Sequence, residues 1–231
     1  MVLQMNKIEK RFGEVIVLKD FSLKVNEKEI LCIIGPSGCG KSTMLNIVSG
    51  CLSPSKGNLV NKSKNISYVF QEDRLLSWKT VYENIYIVNK KASKEHMKLL
   101  IEQVGLTGFE NYYPLKLSGG MRQRCAIARA FNYEADLLLM DEPFKSLDYN
   151  LRFSMIEHLL NLWEMKKNSI IFVTHEIDEA LLLGDRILVL SNRPTKVIKE
   201  FEIKKLKRKR SLRDEILMRI RNEIVSCLVK Q

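Results

Sequence analysis

The chain has 231 residues, 45% of them hydrophobic and 28% charged, which suits one sizeable α/β core and excludes a low-complexity or disordered polymer. Its formal net charge is +11, and no apolar run approaches the length of a membrane span. The five cysteines (Cys32, Cys39, Cys51, Cys125, Cys227) form no C-x-x-C pair and read as reduced small hydrophobes, which excludes a disulfide framework or a zinc site. Lys7, Glu9, Lys10 and Arg11 near the start, without a hydrophobic signal core, give the expectation of a cytoplasmic protein.

In chain order, residues 2–8 read as a first strand, Phe12-Gly13 as a turn, and residues 15–18 and 21–25 as two further strand-like runs. Asn26-Glu27-Lys28 reads as a hairpin turn into residues 29–34, a short apolar run with the pattern of a buried strand. Next comes Gly35-Pro36-Ser37-Gly38-Cys39-Gly40-Lys41-Ser42-Thr43, which fits the phosphate-loop pattern G-x-x-x-x-G-K-[ST], and Met44-Leu45-Asn46-Ile47-Val48 continues it as a helix. Strand, glycine loop and helix together make an anion site. Glycines let backbone N–H groups turn inward, and the helix start adds partial positive charge. Lys41 is expected to reach the β- and γ-phosphates of a nucleotide, with the Ser42 hydroxyl on Mg²⁺. Cys39 is the one thiol inside this loop. Its alkylation is expected to block nucleotide binding, with ATP protecting it.

Residues 53–57 end that helix, and residues 66–70 form a strand that stops at Gln71. From residue 72 to about 131 the periodicity is helical, clearest over 94–104 and 119–131, which reads as a helical subdomain inserted between two core strands. Residues 136–140 return to a buried strand, ending in Asp141-Glu142-Pro143. Carboxylates at a strand's carboxyl end lie on the ligand side of an open α/β sheet. Asp141 suits a Mg²⁺ shell, and Glu142 suits a general base or an orienter of attacking water. A helix over 148–165, a strand over 169–173, a helix over 177–182 and a strand over 186–190 complete a mainly parallel sheet covered on both faces. From Lys196 on, twelve basic residues face five acidic ones, densest at Lys204-Lys205-Leu206-Lys207-Arg208-Lys209-Arg210. This run reads as a solvated linker or as a surface for an anionic membrane or nucleic acid. A final helix over 211–229 would carry Leu212, Ile216, Ile220, Ile224 and Leu228 on one stripe.

Leu117-Ser118-Gly119-Gly120-Met121-Arg122-Gln123-Arg124 closely resembles the L-S-G-G-x-x-x-R signature of the ATP-binding cassette (ABC) family. Physically, Ser118 offers a hydroxyl, and Gly119 and Gly120 expose N–H groups at a helix start. The resemblance covers essentially the whole chain. It implies a P-loop NTPase core (1–71 and 134–202) with a mainly parallel sheet and an N-terminal antiparallel β subdomain, an inserted helical subdomain (72–133), and a basic linker with C-terminal helix (203–231). In the family, two cassettes pair head to tail with two ATP molecules between them, each signature facing the other subunit's phosphate loop. Residue by residue, Gln71 matches the glutamine that contacts Mg²⁺ and water, and Ser146-Leu147-Asp148 matches the D-loop, with serine where alanine is usual. His175 matches the switch histidine on the γ-phosphate, and Phe12 matches the aromatic that stacks on adenine.

The stretch Val69-Phe70-Gln71 through Leu75-Leu76-Ser77-Trp78-Lys79-Thr80-Val81 to Asn84-Ile85 looks like that of nitrate/sulfonate/taurine-type importers, with Ser77 in place of proline. Residues 117–130 and Leu190-Ser191-Asn192-Arg193-Pro194 agree with that group. The resemblance implies ATP hydrolysis at the cytoplasmic face of the membrane, energising uptake of a small solute. Its partners would be a second ATPase subunit, transmembrane permease subunits and, through them, an extracytoplasmic binding protein. Leu75, Leu76 and Trp78 suit a groove for a short cytoplasmic helix of the permease. An exporter ATPase and a soluble non-transport ABC protein are the alternatives, and one phosphate loop without coiled-coil insertions speaks against a nucleic-acid partner.

Overall fold

The computed structural model describes residues 1–145 and 147–229, so Ser146 of the D-loop match lies outside the described residues. The chain divides into two compact units, Met1–Lys64 with Ser169–Gln231, and Asn65–Asn168.

In the first unit, β1 (Leu3–Phe12) and β2 (Val15–Val25) form a hairpin about Gly13, whose φ of +55° asks for glycine. The two strand-like runs at 15–18 and 21–25 are one strand. β4 (Lys56–Asn61) adds to the free edge of β1, giving the antiparallel order β2-β1-β4. A Cβ on Gly57 would lie 2.4 Å from the Lys7 carbonyl oxygen, so this close approach needs glycine. The parallel part is β7 (Ser169–Thr174), β3 (Ile30–Ile34) and β8 (Arg186–Leu190), with β9 (Val197–Glu202) antiparallel to β8. Every residue of β3 and of β7 is buried, as expected of strands covered on both faces.

The hairpin reading of Asn26-Glu27-Lys28 is not what the chain does. β2 pairs with β1, whereas β3 pairs with β7 and β8, so the segment is a crossing from one sheet to another. Glu29 fastens it. Its carboxylate accepts from the Asn26 backbone N–H (2.6 Å) and side-chain amide (2.9 Å) and pairs with Arg186 at 2.9 Å.

Among the described residues this unit has three α-helices, α1 (Lys41–Val48), α6 (Ile177–Leu183) and α7 (Glu215–Val229). The basic run before α7 is not simply a solvated linker. Arg210 is buried, and its guanidinium donates to the carbonyls of Leu181, Leu182, Gly184, Ile203 and Lys205, taking up orphan acceptors at the end of α6. Lys207 pairs with Asp185, whose other carboxylate oxygen accepts from the Ile30 N–H at 2.8 Å. α7 buries Leu217, Ile220 and Ile224, while Ile216 is 58% exposed, so the apolar stripe is turned from the expected one.

The second unit holds β5 (Ile66–Val69) parallel to β6 (Leu137–Asp141), with α2 (Val81–Tyr86), α3 (Lys94–Gln103) and α4 (Gly119–Asn132) inserted between them and α5 (Tyr149–Lys166) after β6. The α/β architecture, the antiparallel N-terminal sheet and the helical insertion agree with the expected fold. Asn84, fully buried, ties the insertion together. Its side chain accepts from the Leu76 N–H and donates to the carbonyls of Leu76, Lys79 and Thr80.

Candidate active site

Within the first unit, the strand order places the loop after β3 beside the ends of β7 and β8. Ile34 is paired with Thr174 and with Val189, so Gly35, His175 and Leu190 all follow at the same carboxyl edge of parallel strands. Residues 35–40 form a turn whose Gly38 and Gly40 have φ of +74° and +122°, backbone that side chains rarely adopt. A Cβ on Gly40 would sit 2.7 Å from Val17 Cγ1, and one on Gly35 2.9 Å from Leu190 Cβ, so the loop is wedged between β2 and β8. Ser37, Gly38 and Ser42 are exposed, and Pro36 and Thr43 are half-buried.

Gly40 caps α1 without a side chain, and the first N–H groups of α1 have no helical acceptor. Lys41 is buried, and its ammonium donates to the Gly35 and Pro36 carbonyls, each at 2.8 Å. The lysine thus lies along the loop it belongs to, with its charge at the loop's head. A cluster of donors at a helix start, one lysine and an open hydroxyl at Ser42 can hold a polyphosphate.

Cys39 is buried, its amide donates to the Pro36 carbonyl at 3.3 Å, and burial raises its thiol pKa, with the Lys41 charge opposing. An enclosed thiol of this kind reacts slowly, so the alkylation expected to block nucleotide binding is expected to be slow as well.

His175 follows Thr174, with its side chain 43% exposed and Nε2 3.7 Å from Glu176 Oε1. Thr174 anchors the turn. Its hydroxyl donates to the buried Glu179 carboxylate at 2.6 Å and accepts from the Glu176 N–H at 3.0 Å. Phe12 stands at the exposed tip of β1, 50% accessible, with the Lys10 ammonium 5.0 Å from its ring centre. An open aromatic face of this kind can take a flat ring.

Within the second unit, Val69 pairs with Met140, so Phe70 and Gln71 run on beside Asp141 and Glu142 at the ends of β5 and β6. The Tyr68 hydroxyl reaches Asp141 Oδ2 at 3.5 Å. Glu142 has a φ of +45°, a costly conformation for a residue with a side chain, and Lys145 lies 2.9 Å from its carboxylate. Gln71 is exposed. Ser118 caps α4, accepting from the Met121 N–H at 3.3 Å, with Gly119 exposed next to it. Gly120 faces inward, where a Cβ would be 2.5 Å from Leu151 Cδ2.

Three side chains of α4, none of which the sequence pattern assigned, hold the segment on either side of Gln71. Arg122 pairs with Asp73 at 2.9 Å, Gln123 donates to the Phe70 carbonyl at 3.4 Å, and Arg129 donates to the carbonyls of Asp73 (3.2 Å) and Arg74 (3.0 Å). A second omission is the turn over residues 191–196 in the first unit. There the Thr195 hydroxyl donates to the Cys39 carbonyl of the phosphate loop, and an Arg193 nitrogen lies 3.9 Å from where a Gly38 Cβ would be. No motif points to Thr195, and Arg193 belongs only to the importer-like string Leu190-Ser191-Asn192-Arg193-Pro194.

The profile of the ABC transporter family matches residues 18–145. The aliphatic sulfonates import ATP-binding protein SsuB of Bacillus cereus is 41% identical over 239 residues, covering 97% of this chain and 95% of its own length. A bacterial ABC transporter cassette solved as a dimer gives a TM-score of 0.74 at 30% identity, over 88% of this chain and 100% of that one. A dimeric post-hydrolysis state of an ATP-binding cassette, bound to ADP and Pi, gives a TM-score of 0.74 at 29% identity and the same coverage. The glycine-wedged phosphate loop, the acidic end of β6, the signature cap on α4 and these likenesses agree, and this chain belongs to the ABC transporter family.

Proposed function

We infer that the chain is the ATP-hydrolysing subunit of an ABC importer, energising uptake of a small anionic solute of the sulfonate class through separate membrane subunits. The observation that carries the reading is the phosphate loop: an α1 start whose first N–H groups have no helical acceptor, no side chain at Gly38 or Gly40, and Lys41 drawn along its rim. Residues 35–43 hold the phosphates, Phe12 stacks on the adenine, and Ser118, Gly119 and Gly120 of a second copy close on the γ-phosphate. Ser42, Gln71 and Asp141 offer oxygen donors, the kind that suits Mg²⁺. When bound, that ion supplies charge neutralisation at the phosphates. Lys41 stabilises charge on the transferred phosphoryl group, Glu142 orients or deprotonates the attacking water, and His175 holds the γ-phosphate. No covalent intermediate is required.

The arrangement 1–71 with 134–202 as nucleotide-binding core, and 72–133 as the subdomain that meets the permease, completes the reading. Trp78 at 70% exposure beside half-buried Leu75 and Leu76 is an apolar point of contact for such a helix. Among the described residues no helix is long and apolar enough to cross a membrane, so membrane attachment would run through the permease. The permease in turn would receive solute from an extracytoplasmic binding protein. A sulfonate cargo is supported by the name of the Bacillus cereus relative.

The Glu142→Gln variant is expected to bind ATP with wild-type affinity, to lose turnover by a factor of about a hundred or more, and to sediment as a dimer when ATP is present. Lys41→Ala is expected to lose both binding and hydrolysis. Wild-type turnover in Glu142→Gln removes that residue from the mechanism, and unchanged nucleotide affinity in Lys41→Ala removes the phosphate-loop assignment. Co-purification of multispanning subunits with an extracytoplasmic binding protein tests the importer, and membrane subunits alone would mark an exporter.

A further inference from the structure

Thr195 lies outside every motif of the chain, is fully buried, and is tied at three points. Its N–H donates to the Val17 carbonyl at 2.9 Å, and its carbonyl accepts from the Lys19 N–H at 3.3 Å, so its backbone continues alongside β2. Its hydroxyl donates to the carbonyl of Cys39. The turn that presents it is closed on itself. Ser191 N–H donates to the Lys196 carbonyl, Lys196 N–H donates to the Ser191 hydroxyl (both 2.9 Å), and that hydroxyl reaches the Pro194 carbonyl at 3.3 Å.

The Cys39–Gly40 peptide is the last one before α1. In a planar trans peptide the C=O and the N–H point in opposite directions. A hydroxyl that fixes the Cys39 oxygen therefore also fixes the direction of the Gly40 N–H, turning it away from Thr195. Gly40 itself cannot do this alone. With φ of +122° and no Cβ it has no side chain to fix its own peptide, and a side chain there is barred by Val17 at 2.7 Å. The Cys39 side chain is enclosed and supplies no second hold on that carbonyl.

We propose that Thr195 is a positioning residue for nucleotide binding: its hydroxyl locks the Cys39–Gly40 peptide so that the Gly40 N–H is already aimed at the phosphates before ATP arrives. The proposal rests on the phosphate-loop reading above. A donor oriented in advance costs no reorganisation when the anion binds, so losing the lock raises the dissociation constant and leaves the chemical step alone.

The test is calorimetric titration of the full chain with ATP in magnesium buffer, at a temperature where each variant is folded by its melting curve. Thr195→Val, which keeps the shape and removes the hydroxyl, is expected to weaken ATP binding about five- to tenfold. Its KM for ATP should rise by the same factor with kcat within about twofold, and Thr195→Ser should restore both. Lys41→Ala is run alongside. If that variant loses affinity while Thr195→Val binds like wild type, the positioning role falls and the phosphate-loop reading stands; if Lys41→Ala also binds normally, the underlying reading falls. Should Thr195→Val not fold, Thr195→Ala takes its place under the same criteria. Failure of both to fold, with Thr195→Ser normal, would make the hydroxyl a tie of the fold only and overturn the proposal.

Discussion

Cys39 and Glu142 show how one position in the backbone sets a side chain's chemistry. Cys39 occupies the phosphate loop, yet it is buried, and desolvation raises its thiol pKa. Cys51, by contrast, is exposed. Brief iodoacetamide treatment of the native chain, read by mass spectrometry, should label Cys51 first and Cys39 slowly. ATP should slow the Cys39 reaction further by holding the loop shut. Rapid labelling of Cys39 at the rate of Cys51 would contradict the burial. Glu142 is the reverse case. Its left-handed backbone is a cost the surrounding structure must hold, and its carboxylate lies 2.9 Å from the Lys145 ammonium.

At the scale of elements, the two glycines of the signature are unlike each other. Gly119 has open space around its Cβ position, the nearest atom being an Arg122 nitrogen at 3.8 Å, whereas Gly120 meets Leu151 of α5 at 2.5 Å. Gly120→Ala should therefore be the less stable of the two by about 1 kcal/mol, because its methyl must push the end of the Leu151 side chain aside. Gly119→Ala should be neutral or raise stability by up to about 1 kcal/mol through helix propensity. Urea denaturation of the two variants checks this, and equal midpoints would refute the close α4–α5 contact.

The strands that stand out most plainly in the sequence are those buried on both faces. β3, β6, β7 and β8 read as continuous apolar runs because nothing on either side is wet. β4 and β9 escaped because their residues are mostly exposed, leaving a polar stretch with no period. The crossing at 26–28 was misread because turn residues set a change of direction, not the identity of the next partner strand. For α7, a four-residue repeat of apolar positions selects one stripe, but 3.6 residues per turn lets Leu217 take the place of Ile216. The phosphate loop, the β6 acids and the signature cap were legible because fixed residue types carry them. Thr195 was not, because a hydroxyl acting on a loop 156 positions away leaves no local trace.

For the whole molecule, the net charge of +11 overstates how much of the basic tail is available to a partner. Arg210 and Lys207 are consumed in closing the end of α6 and bracing Asp185 against the start of β3, and Lys205 pairs with Asp214 at 2.7 Å. Arg210→Ala should lower unfolding stability by about 2 kcal/mol or more, since it strands several buried carbonyls at once. Lys209→Gln, at an exposed position, should change it by less than about 0.5 kcal/mol. Denaturant midpoints of the two variants decide between a structural tie and a solvated run.

The layout of β3 between β7 and β8 also carries a consequence for biosynthesis. β3 ends at Ile34, but its flanking strands start only at Ser169 and Arg186. At roughly 5–20 residues per second, a ribosome needs about 7 to 30 seconds to deliver them. During that interval the nascent chain carries a fully apolar strand with both edges bare. Until those strands emerge, its apolar edges are the surface of the growing chain most open to wrong pairing.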